Sequence, residues 1–276
     1  MKRFVLFFAA IVSLAVATQG CKQPETLKVM SFNIRNAGAN DGDNAWPLRQ
    51  DAVSAMLAAE QPAVFGIQEA YPEQEAFILE NCPVYKGFGV GRNDGKDDGE
   101  RMSVFYRTDM LELVDGGTWW LSETPDVPSK GWDAKYPRTA TWARLKKLDS
   151  GREFFFVNTH LDHKGVEARK NGLAMVVDKV SDMCPGAALI LVGDFNVQPG
   201  DECLKSLEGK MKDASTEAKV SDDKGSFNGF GKSNKRIDYI YYRGFSGAES
   251  FRVVDESFAG KPFISDHYPI TAVLVF

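Results

Sequence analysis

Short, almost wholly apolar runs that stop at a charged, amide or imidazole side chain recur along this chain, and nothing else in it restricts the fold as strongly. Leu27–Phe32 stops at Asn33, Val64–Gln68 at Glu69, Glu153–Thr159 at His160 and Ala188–Gly193 at Asp194. Asn196 follows two residues on, hence on the same side of an extended chain. Runs this apolar read as strands buried on both faces. Met102–Arg107, Thr118–Leu121, Thr139–Leu145, Arg236–Tyr242 and Thr271–Phe276 have the same β-type composition. Helical spacing is confined to a few places: Leu48, Ala52, Met56 and Ala59 behind Pro47, and Val166, Leu173, Val177 and Val180 behind Gly165. Many strands with a few amphipathic helices suggest stacked sheets with helices packed outside them.

The first twenty residues stand apart from this pattern. Lys2 and Arg3 precede the apolar run Phe4–Ala17, which reads as a secretory signal and is too short to span a bilayer. Thr18-Gln19-Gly20-Cys21 resembles a bacterial lipobox without its usual aliphatic residue, so a lipid on Cys21 would anchor the mature chain. Ordinary cleavage near Ala15–Ala17 is the alternative, and both routes lead to export, to a membrane-anchored lipoprotein or to a periplasmic or extracellular protein. The expected organisation is therefore signal peptide 1–20, short linker 21–26 and one domain over 27–276. Losing residues 1–20 removes two basic groups and no acid, which takes the net charge from −5 to −7. Such a surface repels polyanions, so a phosphate substrate must be drawn in by a local site or a metal. Cys82, Cys184 and Cys203 show no zinc-type spacing. The loop Gly91–Gly99 lacks the twelfth-position acid of a calcium loop and reads as a turn. Trp119-Trp120 and the proline-rich stretch up to Pro137 either line a cleft or pack inside.

Asp238 lies inside the apolar run Arg236–Tyr242, where an unpaired carboxylate is costly, and Ser265-Asp266-His267-Tyr268-Pro269 precedes the last strand. Two of the chain's three histidines, His160 and His267, fall in this set. Asn33, Glu69 and Asp266 form a hard, oxygen-only donor group suited to Mg²⁺ or Mn²⁺ rather than zinc. His160 and His163 are spaced so as to point to opposite sides of a strand end, which argues against a zinc pair. Histidine and carboxylate beside such a metal suit acid–base work on a phosphate ester.

In this order, Ser31-Phe32-Asn33-Ile34-Arg35, Gln68-Glu69, Asn158-Thr159-His160-Leu161, Gly193-Asp194-Phe195-Asn196, Arg236-Ile237-Asp238-Tyr239 and Ser265-Asp266-His267-Tyr268-Pro269 are similar to the signatures of the metal-dependent endonuclease/exonuclease/phosphatase superfamily. That superfamily includes deoxyribonuclease I, apurinic endonucleases, deadenylases, inositol polyphosphate 5-phosphatases and neutral sphingomyelinases. The resemblance spans about residues 27–276. The fold expected is α/β (α+β), a four-layer sandwich of two stacked, mainly antiparallel sheets flanked by helices. The resemblance implies Glu69 as principal metal ligand with Asn33 and Asp266 beside it. It makes Asp194 the group that orients or deprotonates the attacking water, and Asn196 a hydrogen-bond donor to a phosphate oxygen. His267, oriented by Asp238, would be base or charge stabiliser. His160 would stand on the leaving-group side with Glu100 orienting it, and Arg138 would contact phosphate.

The same resemblance limits the substrate. Tyr71 stands where deoxyribonuclease-type members carry a groove-entering arginine, which disfavours duplex DNA. Trp119–Trp142 and Asn158–Lys164 look most like a bacterial exported subgroup close to the deadenylase branch. Lys224, Lys232, Lys235 and Arg236 cluster beside Phe227 and Phe230, either to stack a base or headgroup or as a solvated loop. A Mg²⁺-dependent phosphoesterase is therefore expected, acting as endonuclease or exonuclease, as an inositol- or sugar-phosphate phosphatase, or as a sphingomyelinase-like phosphodiesterase. An exported binding module that keeps the fold without the catalysis is the alternative from another class. No protein partner is implied.

Overall fold

The computed structural model describes residues 24–276, so the signal segment and Cys21 lie outside the described residues. The chain runs β1 (Thr26–Asn33), α1 (Trp46–Glu60), β2 (Val64–Ala70), α2 (Pro72–Asn81), β3 (Tyr85–Phe88), β4 (Arg101–Arg107), β5 (Leu111–Trp120), β6 (Thr139–Lys147) and β7 (Glu153–His160). It continues through α3 (Val166–Met183), β8 (Leu189–Asp194), β9 (Lys212–Asp213), α4 (Ala214–Glu217), β10 (Ala218–Ser221), β11 (Asp238–Arg243), β12 (Gly247–Val253) and β13 (Ile270–Val275). One sheet has the order β10-β12-β13-β1-β2-β4-β3 and the other β5-β6-β7-β8-β11-β9. Most neighbours are antiparallel. The parallel pairs β1–β2 and β7–β8 are joined by the crossover helices α1 and α3, and β10–β12 is the third parallel pair.

Three apolar layers separate four structural layers, as the strand-rich pattern with outer helices anticipates. Val29, Val64, Phe156, Val192 and Ile240 meet between the sheets. Phe65, Met56 and Val53 fill the space under α1, and Leu173, Val177, Leu191 and Phe195 fill the space under α3. Trp119 stacks on Trp142 at 5.4 Å and is buried with Trp120, so these rings pack inside rather than line a cleft. The helical stripes differ in register from the expected ones. Leu48 and Val166 are exposed, whereas Arg49 is buried. Arg49 is tolerated there because its guanidinium donates to the carbonyls of Ile34, Arg35, Asn44 and Ile264. It thereby ties the segment after β1 to the segment before β13.

This topology gathers the polar strand ends at one edge. In a parallel pair both strands finish on the same side, so Asn33 at the end of β1 lies opposite Gln68, beside Glu69 near the end of β2, and His160 lies opposite Asp194 in register. β11 runs antiparallel to β8 and starts at Asp238, which pairs with Asp194. β13 runs antiparallel to β1, so Asp266 and His267, just before it, arrive at the same edge.

A buried polar bridge fixes how closely the sheets approach there. Asn158 of β7 donates to the carbonyls of Ile67 and Ser103, and Gln68 donates to Asn158 Oδ1 at 2.7 Å. Gly66 leaves room for it, because a Cβ there would lie 2.4 Å from Asn158 Cγ. Gly66→Ala is expected to lower stability by roughly 1–3 kcal/mol through overpacking. A reduced urea midpoint with an unchanged m-value checks this, and a midpoint equal to wild type contradicts it.

Candidate active site

Two matching turns open the site. After β1, Asn33 Oδ1 accepts the Arg35 N–H at 3.0 Å; after β8, Asp194 Oδ1 accepts the Asn196 N–H at 2.9 Å. In each, the residue two positions on adopts a left-handed backbone, Arg35 at φ 57° and Asn196 at φ 56°. Glu69 is left-handed as well, at φ 64°. Non-glycine residues in this region cost on the order of 1 kcal/mol each and persist where surrounding bonds fix them.

Asn33 joins the sheets. Its Nδ2 donates to Glu69 Oε1 at 3.1 Å and to Asp194 Oδ2 at 3.0 Å. Glu69 Oε2 also accepts from the Asn36 backbone and side chain. The Arg35 guanidinium forms a two-point bond with Asp41 and lies 3.9 Å from Glu69 and 3.8 Å from Asp266. On the other side, His267 Nδ1 meets Asp238 Oδ2 at 2.8 Å, and its Nε2 lies 3.7 Å from Asp194 Oδ2. Phe227 packs against the His267 ring at 4.9 Å between centroids. Arg35, Asn36, Glu69, Asp194, Phe227, Asp266 and His267 border a cleft of about 860 Å³, lined also by Arg92, Glu100, Tyr136, Arg138, His160, His163, Arg169, Asn196 and Lys235.

Burial and neighbouring charge set the protonation pattern. Burial, together with the charge of Asp238, pushes the Asp194 carboxyl up to about 7. For His267 burial acts downward, but the Asp238 carboxylate outweighs it and raises the imidazole to about 10. Burial would lift Glu69; the Asn33 amide, the His267 charge and Arg35 outweigh that and hold it below the usual carboxylate range. Burial and the charge of Glu69 raise Glu100, and burial raises Asp266. His160 is held well below its ordinary value by burial and by Arg138 and Arg92.

Among the described residues, Asp194, Asp238 and His267 bring ligand-type atoms within 4.8 Å of one another. That group already contains its own cation, since an imidazolium stabilised by Asp238 has no lone pair to offer a metal. Glu69 and Asp266 fit a hard cation better. Their carboxylates face the cleft, and the guanidinium near both lies beyond hydrogen-bond distance.

The catalytic and metal candidates Asn33, Glu69, Glu100, Arg138, His160, Asp194, Asn196, Asp238, Asp266 and His267 lie at this edge, but several make contacts other than those expected. Asn33 does not line the cleft, and its Oδ1 is engaged by the Arg35 N–H, so it braces the two acids. Asn196 gives both amide hydrogens to the protein, to His160 Nε2 at 2.9 Å and the Leu161 carbonyl at 3.0 Å, and so orients His160 while bordering the cleft. Glu100 pairs with Arg92 and not with His160, whose Nδ1 has no partner among the described residues. Arg138 is 4% exposed and bonds Asp162 and His163. His160 and His163 both border the cleft rather than facing opposite sides, because the chain leaves β7 at His160 and turns. In the basic cluster, Lys224 and Arg236 are spent on Asp255 and Asp213, and Lys235 lines the cleft.

The pattern of the Endonuclease/Exonuclease/phosphatase family matches residues 30–267. The structure of an endonuclease/exonuclease/phosphatase family protein from Bacteroides thetaiotaomicron is 36% identical with a TM-score of 0.87, covering 92% of this chain and 99% of that one. A mannosyl-6-phosphatase from the same organism is 36% identical with a TM-score of 0.85, covering 91% of this chain and all of that one. Nocturnin from Xenopus laevis is 24% identical over 255 residues, 80% of this chain and 63% of nocturnin.

Asp162, inside the stretch Asn158–Lys164 but given no role from the sequence, organises the wall that holds Arg138. Its carboxylate accepts the N–H groups of Lys164 and Gly165 and the Arg138 Nε. Burial would raise it, but these backbone bonds and Arg138 hold it well below the usual range. A carboxyl depressed on folding stabilises above its unfolded value near 3.9 and loses that contribution as pH falls through its folded value. Asp162→Ala is expected to cost about 1–3 kcal/mol at pH 7. It should also flatten the decline of stability below about pH 4. Urea denaturation from pH 7 to pH 2.5 checks this; an equally steep acid decline in the variant contradicts it.

Proposed function

The chain belongs to the endonuclease/exonuclease/phosphatase family, a family of phosphoester hydrolases, and from that premise we propose that it hydrolyses a phosphate ester with Mg²⁺ or Mn²⁺ held by Glu69 and Asp266. The observation that carries this reading is the convergence of Glu69, Asp194 and Asp266 with the His267–Asp238 pair on one cleft. When bound, the divalent ion would neutralise charge on the phosphate oxygens.

Asp194 sits where a water entering between the two sheets would meet a carboxylate whose proton affinity lies near neutrality, which suits a general base. Asn33 keeps that carboxylate aimed by donating to Oδ2. His267, protonated and held by Asp238, presents Nε2–H toward the same region and stabilises negative charge on the phosphoryl group. His160 has Nε2 occupied by Asn196, and it borders the cleft on the leaving-group side.

The substrate reading is a small phosphorylated polyol or sugar. It is supported by the likeness to a mannosyl-6-phosphatase and by the acidic net charge, which opposes long polyanions. Tyr71 in place of a groove-entering arginine points the same way. For location we infer export, with a lipid on Cys21, from the N-terminal sequence. Radiolabelled palmitate should then enter the wild-type protein and not Cys21→Ser, and an unlabelled wild type would leave the mature chain without an anchor.

Activity on mannose 6-phosphate is expected to vanish in excess EDTA and return with Mg²⁺ or Mn²⁺. Glu69→Ala should lower kcat/KM by at least about a hundredfold while the protein stays folded. Full turnover in EDTA, or restoration by Zn²⁺ alone, would refute the hard-ion assignment.

A further inference from the structure

One wall of the cleft is built from arginines that the proposed hydrolytic groups do not use. Arg138 gives Nε to Asp162 and Nη2 to His163, and its Nη1 is buried with no partner among the described residues. Arg169 gives Nη1 to the Asp162 carbonyl at 3.0 Å and leaves Nε buried and unpaired. Arg92 gives Nη1 to Glu100, also leaves Nε unpaired, and lies 5.1 Å from the Tyr136 ring centroid. Tyr136 in turn stacks on His163 at 5.9 Å. The three arginines, Tyr136 and His163 form one continuous wall, and all of them border the cleft.

A buried guanidinium N–H without an acceptor costs on the order of 1–3 kcal/mol, so three on one wall are an unmet demand for oxygen acceptors. Charge agrees with that demand. Arg92 is ion-paired to Glu100 and Arg138 to Asp162, whereas Arg169 has no ion-pair partner among the described residues, so positive charge is left over on this wall in a chain that is acidic as a whole. Among the described residues none of these arginines hydrogen-bonds Glu69, Asp194, Asp266 or His267, so the surplus is not spent on the hydrolytic groups. The wall adjoins His160 instead, whose imidazole it depresses.

The geometry points to an oxyanion subsite on the His160 side of the cleft, made by Arg92, Arg138 and Arg169, that takes a second anionic group, phosphate or sulfate, carried by the leaving-group part of the substrate. This rests on the phosphoesterase reading above, and narrows its substrate class to phosphate esters bearing two tetrahedral oxyanions. Arginine suits the task because its planar fork offers paired donors to such an anion.

Sulfate and inorganic phosphate are titrated separately, by isothermal titration calorimetry, into the full chain in EDTA. Without a divalent ion, Glu69, Asp194 and Asp266 disfavour an anion, so binding under these conditions reports the arginine wall. One site per chain is expected, with affinity lowered at least about tenfold in Arg169→Ala and partly restored in Arg169→Lys. The tighter of the two anions identifies the second group. In the Mg²⁺-loaded enzyme a sugar 1,6-bisphosphate should show a KM at least about tenfold below that of the 6-phosphate, and Arg169→Ala should erase that ratio. Anion binding that appears only after Mg²⁺ is added, or an affinity unchanged by Arg169→Ala and Arg169→Lys, overturns the proposal. Anion binding without turnover of any phosphate ester keeps the subsite and refutes the phosphoesterase reading. Turnover without anion binding in EDTA refutes the subsite alone.

Discussion

Glu69 and Asp194 come from different sheets and are held together against their mutual repulsion by one amide. Asn33 spends both Nδ2 hydrogens on them and its Oδ1 on the Arg35 backbone, so its side chain is locked in orientation. Two nearby carboxylates in a low-dielectric setting repel strongly unless donors or cations lie between them. Asn33 supplies the donors, Arg35 and His267 supply positive charge, and the edge of the sandwich remains a defined cleft instead of splaying apart.

The strain at this edge has a common origin. Each sheet contains one parallel pair with a crossover helix, and each places a side-chain-to-backbone turn directly after a strand, at Asn33 and at Asp194. The turns force Arg35 and Asn196 into left-handed backbone, which swings their side chains back over the strand ends. Arg35 then reaches Asp41 and approaches Glu69 and Asp266, while Asn196 reaches His160. Local strain is thus exchanged for a fixed arrangement of charge, the condition electrostatic catalysis requires.

Much of this was readable from the amino-acid sequence because buried strands write themselves as apolar runs, and the residue that stops each run lies where the strand leaves the sheet. Asn33, Glu69, His160 and Asp194 were legible on that ground, and Asp238 because a carboxylate inside an apolar strand needs a partner. Short or half-polar elements were not. β12 mixes Glu249 and Arg252 with apolar residues, β9 and β10 are brief edge strands, and α2 carries its cap as Gln74 rather than as a periodic stripe. Asp162 and Arg169 were equally silent, since their importance lies in contacts between loop 161–165, helix α3 and the segment around Arg138 that no local spacing encodes. The partners of Asn196 and Glu100 were silent for the same reason: resemblance fixes a residue's position in the chain, whereas its partners depend on neighbouring loops.

The proposed chemistry requires that the Glu69–Asp266 edge be a divalent-cation site. Electron paramagnetic resonance of Mn²⁺ titrated into the purified chain measures this directly, because bound and free ion differ in signal. One bound Mn²⁺ per chain is predicted, displaced by Mg²⁺, lost in Glu69→Gln and retained in Asp238→Asn. Mn²⁺ bound equally well by Glu69→Gln, or lost in Asp238→Asn but not in Glu69→Gln, would place the ion in the Asp194–Asp238–His267 group and not at Glu69 and Asp266.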